Sequence, residues 1–233
     1  MKIVGVTLDS KLSMNDFISS TCSSCSLQTR ALRHIRPHID QESANSLACS
    51  LINSRIDYCN SLLSGATVHN LGRLQRLQNN AARVVCRGSR RDSARSMLYK
   101  LHWLPVEQRI QYKISVITFN ALSSGEPTYL RDLLTQYEPP RNLRSSGTLK
   151  LVIPSANKTV LASRAFQNSA PRIWNNLSDD IRVLAKSCNS CNNLSVSNLF
   201  RSRLKTMLFK SAFDWCSTGF SQRLCYQVTV LFV

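Results

Sequence analysis

The stretch RIDYCNSLLSGATVHNLGRLQRLQNNAARVV, Arg55 to Val85, decides how the chain is read. Placed on a helix at about 3.6 residues per turn, Leu71, Leu74, Leu77, Ala81, Val84 and Val85 gather on one side. Arg73, Arg76, Asn80, Arg83 and Arg87 follow a 3-4-3-4 spacing. At about 100° per residue, that row lies on a flank roughly 130° away. No acidic residue occurs between Asp57 and Asp92. One face can pack while the other offers guanidinium groups, whose planar fork donates two parallel hydrogen bonds to a phosphate. A solvated helix face is the competing reading, because a charge run alone names no partner.

Working outward, the bias is global. The 233 residues carry 30 basic against 13 acidic side chains, a formal charge of +17, and 21 of the basic residues are arginine. Such a balance favours nucleic acid or an anionic membrane as partner. No apolar run approaches the ~20 residues of a spanning helix, so no membrane partner is expected. The start, MKIVGVTLD, has no apolar signal core, so the expected location is intracellular, nuclear or cytoplasmic, rather than secreted. At 43% hydrophobic residues the chain can bury a core. Acid-free basic stretches recur in Ile18 to Ile39, with Arg30, Arg33 and Arg36, and again in Pro139 to Ser178 and Ile181 to Phe213. These predict phosphate contacts that position a nucleic acid without reading its sequence.

Nine cysteines, an odd number without a signal peptide, point to reduced thiols. Cys22/Cys25 and Cys188/Cys191 have metal-like spacing, but the pairs are far apart and no nearby His completes either half. Small buried thiols explain Cys22 and Cys25 better, on the side of Ile18 and Leu32. No metal site and no cofactor are predicted. Catalytic residues are likewise absent. The only adjacent acidic pair, Asp179-Asp180, follows Ser178 and reads as a capped helix start. There is no Gly-rich phosphate loop and no nucleophile elbow. The histidines His34, His38, His69 and His102 have no metal or triad spacing. Tyr58, Trp103 and Trp174 sit among apolar neighbours and are expected in the core rather than stacked on bases.

The elements predicted along the chain are mainly α. Lys2 to Leu8 alternates as a short strand whose partners lie elsewhere. Helices are expected from Asn15 or Asp16 to Arg36, from Gln41, capped by Asp40, to about Leu63, and from Leu71 to Arg87. Gly88 to Asp92 is a basic hinge and a candidate boundary. Beyond it come helices Ser93 to Leu101, Pro105 to about Leu122, Pro127 to Leu134, Ser163 to Asn176 with a break at Pro171, and Val196 to Phe213. Glu138 to Thr148 is a loop, Leu149 to Ile153 a candidate edge strand, and Ser187 to Asn198 a disordered insertion.

Several of these segments closely resemble the region C-terminal to the catalytic core in non-LTR (LINE-type, jockey-like) retrotransposon reverse transcriptases. The residues that carry the resemblance are the Arg55 to Val85 run, Val4-Gly5-Val6 with Leu8-Asp9 and Lys11-Leu12-Ser13, and Cys22 and Cys25 before Leu32-Arg33-His34-Ile35-Arg36. Further on are LHWLPV from Leu101, Pro127 with Tyr129-Leu130, Leu143-Arg144-Ser145, Arg164-Ala165-Phe166, and Ala170-Pro171 with Trp174-Asn175. The resemblance covers about Ile3 to Phe213. It implies a remnant of the last palm segment over 1–12, a thumb-like helical domain over 13–91, a helical C-terminal extension over 92–213, and a disordered tail over 214–233. It also implies that the chain, starting at an internal Met, is a truncated copy of such an element or a piece cut from one. The paired aspartates of the family's polymerase site lie upstream of the matching region. Ser178 stands where the family usually has Pro, and the segment before Val196 and the tail from Asp214 have no counterpart.

The expected function is then nucleic-acid binding by a reverse-transcriptase fragment. Arg73, Arg76, Arg83 and Arg87, with Arg30, Arg33 and Arg36, would position an RNA–DNA template-primer. Its partners would be RNA template, RNA–DNA hybrid, target DNA, and the missing palm domain of the parent polymerase. A domesticated protein-interaction module, and a transposon remnant without function, remain as alternatives. Two-metal polymerase chemistry needs clustered carboxylates. The purified chain should therefore extend no primer with magnesium or manganese. Extension that is lost on changing Asp179 and Asp180 to Asn would overturn this reading.

Overall fold

The computed structural model describes residues 1–138, 149–154, 159–186 and 193–214. The fold is mainly helical, with a short two-stranded antiparallel sheet at the N-terminus. The chain divides into two compact units, Met1–Ile110 and Gln111–Val233.

In the first unit, β1 (Lys2–Ile3) pairs with β2 (Val6–Thr7) in the register Lys2 with Thr7 and Ile3 with Val6. The single strand expected over Lys2 to Leu8 is thus a hairpin that supplies its own partner. Val4 and Gly5 both adopt positive φ, 46° and 78°, the geometry that a two-residue hairpin loop demands. Val4 is 79% exposed whereas Val6 is buried. The Asp9 carboxylate then accepts hydrogen bonds from the Lys11 and Ser13 amides and the Ser13 hydroxyl, each at 2.9 Å. These bonds hold its pKa below the ordinary carboxylate value. They also organise the turn into α1 (Asn15–Ile35), whose preceding residue Met14 is left-handed and makes no side-chain cap.

Asp40 caps α2 (Gln41–Ala48), as expected, by accepting from the Ser43 amide. The helix expected to reach Leu63 forms without a break from Gln41 to Asp57, through a π-helical turn, and stops short at Tyr58. A π-helical turn over Cys49–Asn53 leads to α3 (Ser54–Asp57), the chain turns at Tyr58 and a left-handed Cys59, and Asn60–Leu63 is a 3₁₀ turn. The wider π turn rotates later residues relative to an α-helical count. Leu51 and Leu62 therefore lie exposed while Asn53 is buried.

Thr67 caps α4 (Val68–Val85) by accepting from the Asn70 amide. Its apolar face is the one predicted, with Leu74, Leu77, Ala81, Val84 and Val85 buried and Leu71 half-buried. Contacts run in the same order along α1 and α4. Asn70 donates to Asn15 at 2.7 Å, Arg73 to Ser19 at 3.0 Å, and Arg36 to the Val85 carbonyl at 2.8 and 2.9 Å. The two helices are therefore side by side and parallel.

The basic hinge at Gly88 to Asp92 does not divide the units. α5 (Ala94–Lys100) and the segment after it fold back on the first unit. Gln78, fully buried, donates to the Leu104 carbonyl at 2.9 Å, and the Gln75 side chain accepts from the Val106 amide at 2.9 Å. Trp103 is buried and donates its indole N–H to Asn45 at 3.0 Å. In the first turn of α6 (Val106–Ser123), Arg109 pairs with Asp57 at 3.1 Å.

In the second unit, Ile114, Thr118, Phe119 and Ala121 of α6 are buried. α7 is only Thr128–Arg131, shorter than expected. Leu151 makes a single antiparallel bridge with Gln136 instead of an edge strand. Asn175 completes that bridge: its side chain accepts from the Leu151 amide at 2.9 Å and donates to the Leu151 carbonyl at 2.8 Å. The chain breaks at Ala165, between α8 (Val160–Arg164) and α9 (Phe166–Asn175), and continues as helix through Pro171. Asn168 donates to the Ala162 carbonyl at 2.7 Å across that break. α10 (Asp179–Arg182) starts after Ser178, which makes no side-chain cap, and Asp179 pairs with the buried Arg182. α11 (Asn193–Phe213) begins earlier than expected and takes in Asn193 to Asn198. It buries Phe200, Leu204, Leu208 and Phe213. Phe200 stacks on Phe119 at 4.1 Å and on Trp174 at 6.0 Å between ring centroids. The predicted loop at 139–148, most of the segment before Asn193, and the tail beyond Asp214 lie outside the described residues.

The Arg36 guanidinium is buried and bonded only to backbone carbonyls, adding Ile39 at 2.7 Å to Val85. Replacing Arg36 with Met should leave those buried acceptors unpaired and lower unfolding stability by about 2–4 kcal/mol, from the range for buried bonds to charged groups. Chemical denaturation of the two chains measures the difference.

Candidate nucleic-acid interface

The predicted basic residues occupy two adjacent rows. On α1, Asn15, Ser19, Cys22, Ser26, Arg30 and Arg33 recur at three- and four-residue spacing. Asn15 and Ser19 bond to α4, so this is the α1 flank beside α4. On α4, the matching row is Asn70, Arg73, Arg76, Asn80 and Arg83, continued by Arg87. Because the helices are parallel, the two rows advance together. Sequence periodicity alone could not show this, since it fixes faces within a helix and not the pairing of helices.

The seven arginines do not have equal freedom. Arg36 is withdrawn from the predicted set because its buried guanidinium serves the Val85 and Ile39 carbonyls. Arg87 is exposed but donates to the Arg36 and Pro37 carbonyls at 3.0 and 3.3 Å. Its φ of 52° is the left-handed helix-end conformation more often taken by glycine. The Gly88 amide bonds to the Arg83 carbonyl and the Arg87 amide to that of Val84, completing a Schellman turn. Arg73 is half-buried and spends one donor on Ser19. Arg83 is half-buried; its Nη1 reaches Asn80 at 3.5 Å, and its Nε is buried with no hydrogen-bond partner among the described residues. Arg30, Arg33 and Arg76 are exposed and have no hydrogen-bond or carboxylate partner among the described residues. Arg90 and Arg91, in the loop after α4 that the sequence marks as a basic hinge, add exposed charge outside the predicted set.

Tyr58 is not a core residue. It is 45% exposed, and its hydroxyl donates to the Val4 carbonyl over the hairpin turn. Trp174 is buried, as expected, and donates to the Leu149 carbonyl at 2.9 Å. Among the described residues no three His, Cys, Asp or Glu side chains come together as a metal set, and Cys188 and Cys191 lie outside them. No helix among the described residues is long and apolar enough to cross a membrane.

No family model, no curated protein and no solved structure matches the chain. The reading of the site therefore rests on its own geometry and on the sequence resemblance.

Cys25 is fully buried, and burial pushes its thiol up to about 11; Cys22 is half-buried and also raised by burial, opposed by Arg73 and Arg76. Only the thiolate is nucleophilic. Alkylation of the native chain at pH 8, followed by peptide mapping, should leave Cys25 unmodified until denaturant is added.

Proposed function

We propose that the first unit is a nucleic-acid-binding module of the kind found next to the catalytic core of LINE-type reverse transcriptases. Its task is to position an RNA–DNA template-primer rather than to perform chemistry. The observation that carries the reading is the pair of parallel basic rows on α1 and α4, with Arg30, Arg33 and Arg76 unpaired among the described residues and exposed. A packed helix fixes the backbone beneath each guanidinium, so only the side chain is ordered when a phosphate arrives, and each neutralised phosphate releases counterions. RNA template or target DNA would meet the same surface through the same contacts. The palm domain expected to carry the paired aspartates would supply the catalysis. An intracellular, nuclear or cytoplasmic location follows from such a partner.

A protein-interaction module is the second reading. It is supported by Met1, Ile3, Val4 and Tyr58, which are all exposed, with Tyr58 bonded to the hairpin turn. Salt separates the two, because apolar docking does not weaken as salt rises.

Affinity for an RNA–DNA duplex should fall steeply with salt. Changing Arg30, Arg33, Arg76 and Arg83 to Gln should flatten the slope of log affinity against log salt by roughly 2–3 units. Arg55→Gln is the control, since Arg55 bonds Ser24 on the other flank of α1 and should change the slope by less than about one unit. A quadruple variant with the parent slope would rule out the assignment.

A further inference from the structure

The loop between α4 and α5 reads Arg87-Gly88-Ser89-Arg90-Arg91-Asp92-Ser93. Ser93 alone among the serines and threonines of the chain has arginine at both the second and third positions before it. Residues 89–93 are all exposed. Ser93 has extended backbone angles, φ −65° and ψ 114°, and its hydroxyl makes no cap bond to α5. The loop is held by few contacts. The Ser89 amide donates to the Asp92 carboxylate at 2.7 Å, and the Arg91 amide to the Ser89 hydroxyl at 3.2 Å. The same Asp92 carboxylate lies 3.4 Å from the place a Cβ on Gly88 would occupy. The loop therefore closes against the residue after Arg87, and Ser93 follows directly at the end of the α4 basic row.

We propose that Ser93 is a phosphoacceptor for an arginine-directed protein kinase, and that its phosphate weakens nucleic-acid binding at the α1–α4 surface. A free hydroxyl in an exposed segment is what such a kinase can draw out, and Arg90 and Arg91 suit acidic pockets beside its active site. In the reaction the Ser93 oxygen forms a bond to the γ-phosphorus of a nucleoside triphosphate. The bond to the departing nucleoside diphosphate breaks, and the hydroxyl proton passes to the base of the kinase. The product adds nearly two negative charges next to Arg90 and Arg91 in the loop that follows α4. It repels incoming phosphates and draws those guanidinium groups to itself. The regulatory half of the proposal rests on the nucleic-acid reading; the acceptor half does not.

The test treats the full chain with ATP and the catalytic subunit of a cyclic-AMP-dependent kinase, followed by intact mass and peptide mapping. One phosphate on Ser93 is expected. It should be absent in Ser93→Ala, and its incorporation should be slowed at least roughly tenfold in Arg90→Gln/Arg91→Gln, where the charged contacts are lost. Failure to label, or labelling undiminished in Ser93→Ala, overturns the acceptor assignment. The phosphorylated chain should bind an RNA–DNA duplex roughly tenfold more weakly at low salt, with a slope flatter by about 1–2 units. Equal affinity of the two forms overturns the regulatory half. A chain that binds no duplex in either form rejects the proposed function and the regulation with it, while the mass measurement still decides the acceptor.

Discussion

The first unit depends on a reciprocal exchange between the ends of two helices. Arg36, just past the end of α1, donates to the last carbonyl of α4, and Arg87, just past the end of α4, donates to the carbonyl of Arg36. Parallel helices that finish at the same level bring two negative dipole ends together. With about half a charge at each end and axes 8–10 Å apart, that repulsion is only about 0.5 kcal/mol at an effective dielectric of 20. The larger problem is the unpaired carbonyls, at about 1–3 kcal/mol each when buried. Two guanidinium groups address both at once. The left-handed backbone at Arg87, a cost of roughly 1–2 kcal/mol for a residue with a Cβ, is tolerable because it directs the side chain to the Arg36 and Pro37 carbonyls.

Parallel packing of α1 on α4 forces the rest of the unit. A direct short connection would make two helices antiparallel, so the chain between them must return to the starting end. Residues 36–67 make that return mainly in one continuous helical run, α2, the π turn and α3, followed by a 3₁₀ turn. Half-buried polar groups on this return, and two glutamines of α4, then hold the next segment. Asn45 receives Trp103, Asp57 receives Arg109, and Gln75 and Gln78 hold the backbone from Leu104 to Val106. The segment after the basic hinge thus joins the first unit through these hydrogen bonds together with the burial of Met97, Leu98, Leu101, Trp103, Leu104 and Val106.

This division between apolar and polar causes explains what was legible in the sequence. The apolar stripe of α4, the Asp40 cap, the burial of Cys25, Trp103 and Trp174, and the mainly helical class all follow from periodicity and composition. The parallel pairing of α1 and α4, the unit boundary at Ile110, and the burial of Arg36 do not. Each involves side-chain hydrogen bonds between residues 26 to 55 positions apart, which no local pattern encodes. The hairpin at Lys2–Thr7 is a different kind of miss. Val4 is a poor residue for positive φ, so the turn signal rested on Gly5 alone, and alternation across Val4, Val6 and Leu8 outweighed it.

Sequence periodicity puts Arg73, Arg76, Arg83 and Arg87 first and Arg30, Arg33 and Arg36 second, whereas the structure ranks them by what their donors already do. Arg36 uses Nε, Nη1 and Nη2 on carbonyls, Arg87 uses Nη2 on two, and Arg73 uses one donor on Ser19. Arg30, Arg33 and Arg76 use none among the described residues, and Arg83 keeps a buried Nε unpaired. Charge that closes the helix ends is therefore distinct from charge left for a ligand, although both come from one periodic pattern. Arg76 and Arg83 are about 10.5 Å apart along α4 at 1.5 Å per residue. Arg30 and Arg33 stand on the neighbouring helix, about 8–10 Å across. Under the proposed function, a nucleic-acid backbone laid along the two helices would meet a guanidinium from each without displacing the bonds that keep the helices together.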